Sequence, residues 1–228
     1  MASPAPDHSA LLESFLLRTY MEALHDPAGS AQDQLQRRMA IEHLILEQGT
    51  GMLRVLQRAF NVIDDLNTNP QVAQWFMTFV SSLSEDWLRE TSLGIPQRIW
   101  RESVDVRLRR KAADLIAKIE VAIDPYLSTA YGSSLVALFR EAQPKPFDGP
   151  LAPDAKLIID VLFERAKLMP LSLLNSPQGA LGRYSLRVVR YCFADEYPKM
   201  SAEQIDTVAS LAGDVNDALR GRILIALV

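Results

Sequence analysis

The chain has 228 residues, 48% apolar and 23% charged, with a net charge of −4, a balance that excludes a disordered polar chain and leaves enough apolar surface for a sizeable core. A single cysteine, Cys192, excludes an internal disulfide, and its apolar neighbours place it inside a packed helix in a reducing compartment. No run approaches the roughly 18–20 apolar residues of a membrane span, and Met1 to His8 lack the basic and apolar stretches of a secretory signal, so a soluble cytoplasmic protein is expected.

Residues 1–6 are expected to form a flexible leader. A first helix should start after Asp7 or Ser9 and bury Leu12, Phe15, Leu16, Thr19 and Ala23, ending before Pro27. A second, from about Ser30 to Gln48, should turn Ile41, Leu44 and Ile45 inward and stop at Gly49. The next pair is expected from about Met52 to Leu66 and from Pro70 to about Glu90, with Asn69 as cap and Pro70 at the first helical position. Val72, Trp75, Phe76, Phe79, Val80, Leu83 and Trp87 then share one broad apolar face.

Pro96 opens what the pattern predicts to be the longest helix, reaching about Ile123, with Trp100, Val104, Leu108, Ala112, Leu115 and Ile119 on one side. Asp124 and Pro125 restart a helix whose stripe is Leu127, Ala130, Tyr131, Ser134 and Leu138, ending near Ala142. Residues 143–153 hold four prolines and a glycine and are expected to be a linker. Asp154 should cap a helix with Ala155, Ile158, Ile159, Leu162, Ala166 and Met169 inward, and a helix starting at Ser176 and Pro177 should run to about Tyr197. Ser201 with Gln204 forms a capping-box pattern, and Asp214 caps a last helix.

These elements predict an all-α chain of about ten helices in five antiparallel pairs. Pair starts near Asp7, Gly51, Pro96, Asp154 and Ser201 are 44, 45, 58 and 47 residues apart, near the period of two-helix repeats. Asn67 to Pro70, followed by Val72 and Trp75, resembles the inter-repeat turns of HEAT and armadillo proteins, which implies an α-solenoid. A globular multi-helix bundle of the same elements is the alternative. The linker would divide a part at 7–142 from one at 154–228, read as continuous within one domain.

Catalytic chemistry leaves little signature. Asp64 and Asp65 superficially resemble the paired aspartates of helical prenyl-diphosphate enzymes, but Thr68 stands where a further carboxylate belongs. His43 and Glu47 are spaced for a solvated ion pair, and Gly49 to Gly51 lacks the lysine of a phosphate loop. No catalytic residue, metal or cofactor is expected, and the balance leans away from an enzyme.

Charge gives the clearest surface signal. Residues 1–97 carry 6 basic and 12 acidic side chains, whereas residues 98–228 carry 18 and 16. Arg98, Arg101, Arg109 and Arg110 on the long helix, and Arg183, Arg187 and Arg190 at offsets 0, 4 and 7, are the candidate sites for an anionic partner, because a guanidinium fork matches carboxylate and phosphate. The apolar end, Ile223 to Val228, is expected either to pack inward or to meet a partner or a second copy. The leading expectation is a non-catalytic protein-interaction module, an adaptor, scaffold or regulatory subunit. The alternatives are RNA binding through the C-terminal arginines and a helical enzyme with a carboxylate-bound metal.

Overall fold

A computed structural model describes residues 30–61, 67, 70–124, 133–143, 151–167 and 179–193. Among these residues 85% are helical and none lies in a strand, in agreement with the all-α expectation. No described helix is long and apolar enough to cross a membrane. The chain divides into two compact units, residues 1–104 and 105–228.

In the first unit, α1 (Ala31–Gln48) begins where the sequence predicts, because Ser30 closes a capping box: its hydroxyl accepts from the Asp33 N–H and the Asp33 carboxylate accepts from the Ser30 N–H, both at 3.2 Å. It ends at Gly49, whose φ of 85° is a conformation that glycine adopts without strain. The turn is immediate, and α2 (Thr50–Asn61) packs back on α1 with Leu53 and Phe60 fully buried.

α3 (Pro70–Ser81) buries Val72, Ala73, Trp75, Phe76, Met77, Phe79 and Val80. Phe76 meets Phe60 of α2 at a ring-centroid distance of 5.0 Å, and Trp75 stacks on Phe79 while its indole N–H donates to Glu42 of α1 at 2.7 Å. The helix expected to reach Glu90 stops at Ser81 instead. Ser82 turns its hydroxyl onto the Phe79 carbonyl at 2.6 Å, and Ser84, in extended backbone, precedes the short α4 (Glu85–Arg89). Serine offers the backbone a competing partner, and three of them surround this break. Trp87, expected on the same core face as Trp75, is consequently half-buried.

α5 (Gly94–Glu102) buries Ile95, Pro96, Ile99 and Trp100 and packs on α2. The long helix expected from Pro96 to Ile123 is not continuous. Ser103 leaves the helix with ψ 132°, and Asp105 caps a new one, α6 (Val106–Ile123), by accepting from the Arg107 N–H at 2.8 Å. The periodicity is right on both sides; the joint between them is not helical.

The second unit contains α6, α7 (Ser134–Ala142), α8 (Pro153–Lys167) and α9 (Ala180–Phe193), and each of these helices packs on the other three. Its core interleaves Leu115, Ile116 and Ile119 with Leu135, Leu138, Ile158, Leu162, Phe163, Val188 and Val189, and Phe139 meets Phe193 edge-on at 5.2 Å. Gln143, which ends α7, accepts from the Ala152 N–H at 2.7 Å. The two ends of the proline-rich stretch are therefore joined by a hydrogen bond, within one unit. The expected helices before Ser30 and after Phe193, and the apolar end Ile223 to Val228, lie outside the described residues.

Candidate functional site

The arginines expected to form one basic helix face are carried by two helices in different units. On α5, Arg98 is half-buried; its Nε donates to both carboxylate oxygens of Glu102 at 2.9 and 3.0 Å, and its Nη1 reaches the Phe60 carbonyl near the end of α2 at 3.4 Å. Arg101 is exposed on the same helix. On α6, Arg109 pairs with Asp154 at 2.5 Å and Arg110 with Glu164, while Arg165 of α8 pairs with Asp114 of α6. Arg109 keeps only 15% of its side-chain exposure. These charges join α6 to α8 across the second unit.

Arg183, Arg187 and Arg190 lie on α9 as spaced in the sequence. Arg183 is half-buried, and Arg187 and Arg190 are the exposed residues of the helix; the remaining side chains, Tyr184, Leu186, Val188, Val189, Cys192 and Phe193 among them, are buried or half-buried. Of the expected three-arginine strip, Arg187 and Arg190 face solvent and Arg183 is half-buried.

A second surface escapes the sequence reading. Ile41 and Ile45 are buried as predicted and Leu44 is half-buried, yet Leu35, Met39 and Leu46 are 56%, 59% and 49% exposed. At offsets 0, 4 and 11 they fall within about 40° of one another around α1. That spacing was the available signal, a second apolar line beside the one claimed by Ile41 and Ile45. His43 and Glu47, paired at 2.9 Å and well exposed, flank it.

Buried polar chemistry centres on Glu120 of α6. Its Oε2 accepts from the Ser133 hydroxyl at 2.7 Å and from the Tyr184 phenol, its Oε1 accepts from the Ser134 N–H at 2.6 Å, and the Ser133 hydroxyl lies 2.8 Å from the phenol oxygen. Ser133 also accepts from the Leu135 N–H at 3.1 Å, so a serine and a carboxylate together cap α7. Burial, then the adjacent Glu120 charge, pushes the Tyr184 phenol well above its ordinary range. Burial likewise pushes the Cys192 thiol up, against a smaller opposing pull from Arg140. Both groups hold their protons at neutral pH, which makes neither a nucleophile.

Among the described residues no group of three or more His, Cys, Asp or Glu side chains is placed to hold a metal ion. Asp64 and Asp65 lie outside those residues. No protein-family model, curated protein or solved structure matches the chain.

Proposed function

We propose that the protein is a non-catalytic interaction module, an adaptor, scaffold or regulatory subunit, and that α1 receives an amphipathic helix of a protein partner. The exposed line of Leu35, Met39 and Leu46 carries this reading. It runs about 16 Å along the helix axis, the length of three helical turns and the span over which helix-in-groove partners place their anchors. Its polar flanks carry both signs, Arg38 and Glu42 on one side and His43 and Glu47 on the other, which suits a protein surface better than a polyanion. The mutual packing of the four helices of the second unit supports a bundle over a stack there, since a solenoid repeat touches only its neighbours. A cytoplasmic setting fits the single, buried thiol.

The test is recovery of partners on the tagged chain from native lysate, with and without nuclease. A protein retained by the wild type after nuclease and lost on Leu35→Ser/Met39→Ser/Leu46→Ser supports the reading. Equal recovery on the triple variant removes α1 from it.

The exposed Arg187 and Arg190, with Arg183 beside them, favour a second reading, an RNA-binding strip on α9. It requires salt-dependent retention on heparin that is lost when all three are changed to glutamate.

A further inference from the structure

We propose that the helix received by α1 is α1 of a second copy of this chain, packed antiparallel about a two-fold axis between Ala40 and Ile41. This rests on the reading of α1 as a docking face and names the occupant of that face.

The exposed line has the spacing of a helix-pairing seam. Leu35, Met39 and Leu46 leave one position of a 4-3-4 alternation unfilled, and Glu42, at the edge of the line, fills it. The four residues therefore stand where a two-stranded coiled coil sets its contact positions. Their order is also self-complementary. In an antiparallel pair each residue faces the one equally far beyond the axis, so Leu35 meets Leu46 of the second copy and Met39 meets Glu42, and the symmetry makes each contact twice. The leucine pairs close the two ends of the seam, and the flexible Met39 thioether packs along the methylenes of Glu42.

Charge fixes the direction. Arg38 and Glu42 lie one turn apart on the same edge of the line and are both half-buried. Glu42 turns its Oε1 to the Trp75 indole N–H at 2.7 Å, whereas the Arg38 Nε is enclosed without a hydrogen-bond partner among the described residues. Antiparallel pairing brings Arg38 level with residues 42 and 43 of the second copy, on the edge that carries Glu42, so two Arg38 to Glu42 pairs form across the axis. A parallel pair would set Arg38 against Arg38 and Glu42 against Glu42, which like charges oppose. Two helices meeting over three turns bury less than the about 1,200 Å² at which standard interfaces begin, so the dimer is expected to form with rising concentration.

The test is sedimentation equilibrium of the full chain from about 5 to 500 μM. The wild type should move from 25.5 kDa toward twice that mass. Arg38→Glu and Glu42→Arg should each weaken association at least about tenfold, and an equimolar mixture of the two should return to within about threefold of the wild type, because each reversed charge then faces its opposite on the other chain. A wild type that stays monomeric, a mixture no better than its parts, or a dimer unchanged by Leu35→Ser/Met39→Ser/Leu46→Ser would overturn the proposal. A monomeric chain that still loses a lysate protein on that triple change overturns the self-pairing alone and leaves α1 a docking face for another protein. Should Glu42→Arg, which removes the acceptor of the Trp75 indole, fail to fold, mild oxidation of Leu35→Cys mixed with Leu46→Cys decides. A disulfide in the mixture and in neither variant alone supports the antiparallel pair, and a mixture without one overturns it.

Discussion

Tyr184 of α9 gives its phenolic hydrogen to the Glu120 carboxylate of α6, and that carboxylate also holds the first N–H of α7. A helix start normally finds its cap in the residue before it. Here Ser133 fills that role only in part, and the Ser134 N–H is met by a side chain fourteen residues upstream. The polar cluster therefore ties three helices of the second unit together where their apolar faces converge.

Tyr184→Phe should cost about 1.5–3 kcal/mol, the range for a hydrogen bond to a charged group. Glu120→Ala should cost more, because it leaves the Ser134 N–H, the Ser133 hydroxyl and the Tyr184 phenol without their common acceptor. Urea-unfolding midpoints at unchanged slope measure both. A smaller loss for Glu120→Ala than for Tyr184→Phe contradicts this ordering.

Alkaline pH should destabilise the fold through Tyr184 and Cys192. Both protons are held more firmly in the folded chain, so the unfolded chain ionises first, near the ordinary values of 9.0 for the thiol and 10.0 for the phenol. Their stabilisation is complete below those values and is lost as pH rises toward the folded-state ones, with a limiting slope of about 1.4 kcal/mol per pH unit for each group. Unfolding midpoints followed from about pH 7.5 to 10.5 should fall less steeply for Tyr184→Phe/Cys192→Ala than for the wild type. Equal slopes would mean that neither group couples to folding.

Gln57 is 8% exposed and its Nε2 has no hydrogen-bond partner among the described residues, while Leu53 and Phe60, one turn to either side, are fully buried. Gln57→Leu should raise stability by about 1 kcal/mol by replacing an unsatisfied amide with apolar volume. The melting temperature reports it, and a decrease would show that the amide is held after all.

Local chemistry made part of this structure legible in advance. Ser30, Gly49 and Pro70 act over one or two helical turns, and the structure places each at the helix end its sequence context predicts. The break at Ser82 to Ser84 carried a sequence signal, a serine cluster outweighed by the continuing apolar phase. The break at 103–105 carried one local signal, the Asp105 cap, outweighed by the continuing apolar phase, while Asn67, which bonds the Glu102 carbonyl, sits 35 residues away. The partners of Arg109 and Arg110 are hidden for the same reason: Asp154 and Glu164 meet them only after α6 and α8 have packed.

Arg109 and Asp154 provide the test of whether those arginines serve the fold. The pair is unequal in exposure, 15% for the arginine and 49% for the aspartate, so most of the desolvation falls on the arginine, and a carboxylate placed there would be buried opposite another. Arg109→Glu should therefore cost about 2–3 kcal/mol and Asp154→Arg less, whereas Arg109→Glu/Asp154→Arg should recover more than half of the larger loss. Urea unfolding of the four proteins closes the cycle. If Arg109 served chiefly to hold an external anion, its reversal would leave stability within about 0.5 kcal/mol of the wild type, and the second change would restore nothing.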